Sequence, residues 1–510
     1  MDPGGLETER QPLDGSCKWE RPTFAWSWSI IGPGLLVCLA DTDAGCLLVA
    51  CQSGSRYGYG LLLLQICLIP VLFMAQDLTV RLGICTGKGH SACIREHFGP
   101  RWCWFATTLL LVECVVAMVS EMSGVAATGR LWGMNPLVSV VVASFVIIGA
   151  VLGLSYRQIE VIGVTLGAFE MTFLITMLYY HPSVGSMLQD ALDHVADPEY
   201  MKLISANIGA VIMPWMIYFQ QSAVVARRMR TCTEMDQERT GTLVGSITTQ
   251  LIMIGALVTL AAAKSGNRDL KSMEEIVRAI SPAFGVVASK VLISMAFLGG
   301  SLCAAFVVAL AATWALCEAA SLEDAYALEQ SPTDAPFFYG SFLSVVVLGA
   351  LVLLSGVNTV RLNVWVELLD GILMPVAVGF LYLLAISEVV PEPVRVKGAY
   401  KWVTGCVFTI AAWEFKHLPC VAMLSEARPC QSAGHQNVEF GDVHAHTITA
   451  AFQICSCARC RYIHHNCRRW LHQRALEGHA DHRLVWNTDF MDATLALKHS
   501  IVRSPDQMLL

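Results

Sequence analysis

Ten apolar stretches, each close to the roughly 20 residues a helix needs to cross a hydrocarbon core, constrain this chain more than any other feature. They fall at 28–52, 58–80, 103–128, 136–155, 159–180, 203–225, 240–263, 284–317, 337–356 and 364–387. A bilayer offers backbone amides no water, so stretches of this length read as helices and the chain as an all-α, multi-pass membrane protein. Composition agrees, since 55% of the 510 residues are hydrophobic and only 15% are charged. The net charge of −7 is small for this length and unevenly placed, which points away from a nucleic-acid partner. Most of the nineteen cysteines lie inside apolar runs, where a thiol is a small hydrophobe, so few disulfides are expected. No paired nucleophile and base suggests an enzyme.

Lys and Arg beside the spans set the expected orientation. Arg81, Lys88, Arg95 and Arg101 flank the second connection, Arg227, Arg228, Arg230 and Arg239 the sixth, and Arg395, Lys397 and Lys401 the tenth. All are even-numbered connections on the side of the N-terminus, which is therefore expected in the cytoplasm. The acidic fifth connection, with Asp190, Asp193, Asp197 and Glu199, falls opposite. The acidic eighth, with Glu323, Asp324, Glu329 and Asp334, does not fit this pattern. Residues 1–27 lack a basic segment leading into a short apolar core and read as a cytoplasmic segment, not a signal peptide.

Beyond the tenth span, an apolar run from Tyr400 to Trp413 meets Glu414, Lys416 and His417 before it is long enough to cross, so 388–413 reads as a partial eleventh helix. Residues 414–510 hold ten of the fourteen histidines and six cysteines, including Cys455-Ser-Cys457-Ala-Arg-Cys460 and His464-His465-Asn-Cys467. Their spacing fits no regular zinc finger and hydrophobic periodicity vanishes. A poorly ordered tail or a mis-assembled gene end explains this better than a metal-sensing module.

Two spans are interrupted. The first carries Asp41-Thr42-Asp43-Ala44-Gly45-Cys46 at its centre, and the sixth reads Asn207-Ile-Gly-Ala210-Val-Ile-Met213-Pro214-Trp215, with Gln220 and Gln221 after it. Carboxylates at membrane depth cost a few kcal/mol each and face polar cavities or ion paths. Interrupted spans at matching places in two sets of five are the mark of an inverted-repeat transporter with a LeuT-like 5+5 plan, whose broken helices expose carbonyls to a midplane ion site.

At this point the order of motifs resembles the Nramp divalent-metal transporters over roughly Pro33 to Ile386. Leu82-Gly83-Ile84-Cys85-Thr86-Gly87-Lys88-Gly89-His90 is similar to that family's Thr-Gly-Lys loop. Asp43-Ala44-Gly45-Cys46 falls on its metal-binding Asp-Pro-Gly-Asn, and Ala210-Val-Ile-Met213-Pro214 on its Ala-x-x-Met-Pro. The departures are informative: the family's Asn is Cys46, its two span-six histidines are Trp215 and Gln220, and the Asp preceding its span-three Glu is Met118, if that Glu is Glu121. This pattern resembles the Nramp-related magnesium transporters, which implies carriage of Mg2+ and Mn2+ without coupled protons.

The residues read alone agree with that. Mg2+ keeps several waters and is held by one or two carboxylates plus other oxygens. Asp43, joined by Asp41 and by the freed carbonyls of Ala40 and Ala210, meets that need, with Met213 the one soft candidate, Cys46 a lost oxygen, and Gln220 placed to hold hydrated metal. Glu121 reads as a satisfied buried acid, Arg157 and Glu160 as a span-end ion pair, and Asp370 as a further acidic contributor. The expected protein is a monomer that needs the bilayer and its divalent ions and no cofactor. A proton-coupled Mn2+/Fe2+ symporter and a non-transporting metal sensor are the rival readings.

Overall fold

The computed structural model describes residues 32–411, apart from 183–184, 186, 188–197, 264–269, 271, 323–324, 329, 356–358 and 393. The N-terminal segment 1–27, the Cys/His-rich stretch 414–510 and most of the acidic residues of the fifth and eighth connections lie outside the described residues.

Among the described residues the α-helices follow in order: α1 Pro33–Ala40, α2 Ala44–Tyr57, α3 Leu62–Thr86, α4 His90–Phe98, α5 Pro100–Leu131, α6 Pro136–Gly153, α7 Tyr156–Gly167, α8 Thr172–Tyr180, α9 Pro198–Gly209, α10 Pro214–Ala226, α11 Cys232–Ala262, α12 Met273–Phe284, α13 Val286–Ala319, α14 Pro336–Leu354 and α15 Thr359–Ile386. A further helical stretch covers 398–411. Among the described residues nine segments are long and apolar enough to cross a membrane, and α1 with α2, bent by 51° at their break, makes a tenth. Helices α9 and α10 form one such segment, and α7 with α8 another, joined by a 3-10 turn at Ala168–Met171.

Burial sorts the spans into an inner and an outer set. The α9–α10 span has 94% of its apolar window buried, against 28% for α6. Leu137, Val138, Val142, Phe145 and Val146 of α6 are exposed and would face acyl chains in a bilayer. Helices α5 and α13 make the most extensive pairing, and α2 lies against α11 with comparable closeness. Gly54 permits that approach, because a Cβ there would stand 2.0 Å from the Leu257 carbonyl oxygen. The two short helices α4 and α12 occupy connections and leave the spans to the longer elements.

Candidate metal centre

The interruptions have local causes. Helix α1 stops at Ala40, and Asp43 restarts the chain as the N-cap of α2, with extended backbone (φ −65°, ψ −178°) and Oδ1 accepting the Cys46 amide at 2.8 Å. A short carboxylate in this position satisfies an otherwise orphaned amide, so aspartate favours helix starts. In the second interruption Met213 is extended (φ −82°, ψ 136°) before Pro214, whose ring has no N–H to donate to a preceding turn and suits the first position of α10.

Cys46 joins the breaks. Its Sγ donates to the Ala210 carbonyl at 3.1 Å and lies 3.7 Å from Glu367 Oε2 on α15. One ligand atom from each of Asp43, Cys46 and Glu367 lies within 4.8 Å of the others, and all three residues are buried. Glu367 Oε1 has no hydrogen-bond partner. Its approach depends on Gly45, where a Cβ would stand 2.1 Å from that oxygen. On the other side Gly209 lets α9 meet α15, since a Cβ there would lie 2.0 Å from the Glu367 carbonyl oxygen. Two carboxylates, a carbonyl and a thiol thus converge where two helices are unwound.

The other expected residues are placed as follows. Ala40 ends α1 and is buried, as is Met213 at the start of α10. Asp41 is buried with both carboxylate oxygens unpartnered, outside the group that converges on Cys46. Gln220 turns to the hydroxyls of α3 and α11: its Oε1 accepts from Thr79 and its Nε2 donates to Thr242 Oγ1 at 3.0 Å. Glu121 lies beside Asp43 and the Ala44 amide, with neither of its oxygens in hydrogen-bond geometry. Glu170, in the 3-10 turn, accepts the Thr42 hydroxyl within the first break. The Trp215 amide at the start of α10 donates to Glu113 Oε1 at 3.2 Å.

Glu367 is the residue the sequence reading missed. The signal was present, because Asn363, Glu367 and Asp370 recur at the spacing of one helical face. Asn363 is fixed by the hydroxyls of Ser120 at 2.9 Å and Ser123 at 3.1 Å, which ties this face of α15 to α5.

Charge is divided between two regions. Asp77 binds Arg81 at 2.8 Å, Arg239, and the Tyr400 hydroxyl at 3.0 Å. Glu160 binds Arg157 at 2.6 Å, the ion pair expected at a span end, and Arg227 at 3.4 Å. By contrast Asp41, Asp43, Glu113, Glu121, Glu170, Glu367 and Asp370 are all buried, and among the described residues none pairs with Lys or Arg. Acids buried without a basic counterpart among the described residues must be protonated or answered by a cation.

The broken first and sixth spans, crossing at a cluster of acids inside a helical bundle, define a multi-pass membrane protein of the LeuT-like inverted-repeat class. The model of the family described as natural resistance-associated macrophage protein-like matches residues 34–413. The chain belongs to this family, the Nramp proteins. It is similar to the divalent metal cation transporter MntH of Ralstonia nicotianae, 30% identical over 285 residues, covering 52% of this chain and 64% of that protein. Divalent metal cation transporter MntH 1 of Pseudomonas aeruginosa is 29% identical over 287 residues, with 52% and 64% covered. The matched part therefore spans 64% of the length of these curated relatives. Among solved structures, the manganese transporter of Eremococcus coleocola, with an aromatic bis-isothiourea compound, superposes with a TM-score of 0.65 at 14% identity, over 79% of this chain and 88% of that one. That likeness concerns the fold.

Proposed function

We propose that this protein moves divalent metal ions, Mg2+ and Mn2+, into the cytoplasm by alternating access, as a uniport driven by membrane potential. The observation that carries the reading is the convergence of Asp43, Cys46 and Glu367 within 4.8 Å at the break of the first span, beside the Ala210 carbonyl. Carboxylate and carbonyl oxygens suit Mg2+ and Mn2+, whereas imidazole and thiolate select later transition metals. Cys46 acts here as a thiol donor to Ala210, so the oxygens of Asp43, Glu367 and Ala210 form the ligand set, with water completing a six-coordinate shell. The names of its relatives, divalent metal cation transporter and manganese transporter, support the substrate class.

Uniport rests on what lines the sixth span. Trp215 and Gln220 stand where the family carries histidines, and Gln220 is held by Thr79 and Thr242, so no imidazole relay leads away from the centre along α10. A divalent ion gains about 4 to 5 kcal/mol per 100 mV of inside-negative potential, enough to accumulate without a second ion.

The test is flux into liposomes at a clamped potential, with Mg2+, Mn2+ and Ca2+ compared and internal pH recorded. Potential-dependent Mn2+ and Mg2+ entry with steady internal pH is expected, and loss of both in Asp43→Ala. Acidification that tracks Mn2+ entry would replace uniport by symport, and unchanged Mg2+ flux in Asp43→Ala would overturn the site.

A further inference from the structure

A second pair of acids extends from the metal centre, with Asp370 still within electrostatic reach of Asp43. Glu113 on α5 and Asp370 on α15 are both wholly buried and lie within electrostatic reach of each other. Glu113 is held in place through Oε1 by the Trp215 amide at 3.2 Å, while its Oε2 and both oxygens of Asp370 have no partner. Unpartnered buried carboxylate oxygens cost several kcal/mol each unless a cation or proton answers them. Glu113 faces the first turn of α10, the element that the second break sets free.

Helix spacing places this pair on the way out of the centre. Glu113 precedes Glu121 by eight residues on α5, about 12 Å along the axis toward Pro100 and the Lys88 loop. Asp370 follows Glu367 by three residues on α15, about 4.5 Å further toward the same end, where Arg81 binds the Val394 carbonyl at 2.8 Å. Directly beyond lies a small cavity bordered by Leu110, Pro214, Tyr218 and Leu373, one turn past the pair on α5 and α15 and beside Trp215 on α10. Tyr218 then packs edge-on against His90, with ring centroids 4.7 Å apart, and His90 Nε2 is buried without a partner. His90 Nδ1 lies 2.9 Å from Gln221 Oε1, and Gln221 Nε2 donates to the Lys88 carbonyl at 3.0 Å. The cavity, lined by apolar side chains and Tyr218, and then the unpartnered His90 Nε2 thus lie between the pair and the Lys88 loop.

We propose that Glu113 and Asp370 form a second cation station, which receives the divalent ion with part of its water shell after it leaves Asp43 and Glu367. The proposal rests on the transport reading above. The donor set is all oxygen and can supply two negative charges, which matches a hard divalent ion. Asp370 shares a helix face with Glu367, so an ion can pass from one to the other along α15 without leaving carboxylate contact. Anchoring of Glu113 by the Trp215 amide links the station to α10, so movement of that half-helix changes the station and the centre together.

The probe is Mn2+ alone, titrated calorimetrically into the full chain in detergent, together with Mn2+ flux in liposomes. The wild type should bind two equivalents. Glu113→Gln and Asp370→Asn should each bind one. Asp43→Asn should retain one equivalent, and Asp43→Asn combined with Asp370→Asn none. In flux, Asp370→Asn should lower the maximal rate about tenfold, the scale on which loss of a supporting group weakens metal sites, with KM for Mn2+ unchanged because entry is untouched. Equal stoichiometry in wild type and Asp370→Asn, or loss of all binding in Asp43→Asn, overturns the station, as does a wild-type rate in Asp370→Asn, which would leave the pair a proton site only. If Asp370→Asn fails to fold, Asp370→Glu and the Mn2+-induced thermal shift in the Asp43→Asn background decide: a retained shift supports the station, and none refutes it. Two equivalents in Asp43→Asn with one in Asp370→Asn would support the station while removing Asp43 from the first site.

Discussion

Gly45→Ala separates the ligand role of Glu367 from its part in packing. A Cβ at Gly45 would stand 2.1 Å from Glu367 Oε1, 3.1 Å from Ser120 Oγ and 3.2 Å from Glu367 Cδ. Van der Waals contact begins near 3.4 Å, so the carboxylate must withdraw by more than about 1 Å, whereas the backbone need not move. The strain falls on the far end of a flexible side chain. Gly45 is helical, and alanine favours a helix interior by about 1 kcal/mol over glycine, so the fold should persist with little change in melting temperature. The metal centre should not. Withdrawing one of two carboxylates should weaken Mn2+ binding roughly 10- to 100-fold, or about 1.4 to 2.8 kcal/mol, and raise KM for flux to match. Calorimetric Mn2+ titration beside thermal melting measures both, and Glu367→Asp in the Gly45→Ala chain, one methylene shorter, should recover part of the affinity. Wild-type Mn2+ affinity in Gly45→Ala would remove Glu367 from the ligand set.

Gly54→Ala should behave in the opposite way. Its Cβ would lie 2.0 Å from the Leu257 carbonyl oxygen and 2.8 Å from the carbonyl carbon, which are backbone and cannot swing aside; a loss of about 3 kcal/mol in stability, seen as a lower melting temperature or poor yield, is expected. Cys46→Ser keeps a donor to the Ala210 carbonyl, so Mg2+ flux should stay within about threefold of wild type, because the sulfur donates a hydrogen bond and need not bind metal; a larger loss would make sulfur a ligand. His90 sits outside the spans on α4, where burial pushes its imidazole down to about 4 against a smaller opposing effect of its bond to Gln221. The unfolded chain, titrating near 6.5, then binds the extra proton first, so stability should fall as pH drops from about 6.5 toward 4, and His90→Gln should flatten that part of the pH–melting profile. Asp77→Asn leaves Arg81 and Arg239 facing one another without their shared carboxylate, and thermal melting should show a loss of roughly 3 to 5 kcal/mol.

What the sequence could reveal divides along the difference between local and distant causes. The breaks at Asp43 and Pro214 are local, since a capping carboxylate and a ring nitrogen without hydrogen act on their own turn, and both were legible from residue order. The Arg157–Glu160 pair is local too, one helical turn apart. Glu367 became a partner of Cys46 only because Gly45 and Gly209 remove two side chains that would hold α15 away, a condition set by three segments distant in sequence. Gln220 shows the converse: its position one and a half turns past Pro214 suggested a place beside the metal, yet Thr79 and Thr242 on neighbouring helices satisfy its amide and face it elsewhere. Polar side chains in a membrane interior are assigned by whichever donor or acceptor the neighbouring helices bring closest, because none of them can turn to water. The acids left over by that assignment, Asp41, Glu113, Glu121, Glu170, Glu367 and Asp370, each keep at least one oxygen without a partner. In such an interior an oxygen left without a partner is the one that gains most from a proton or a cation.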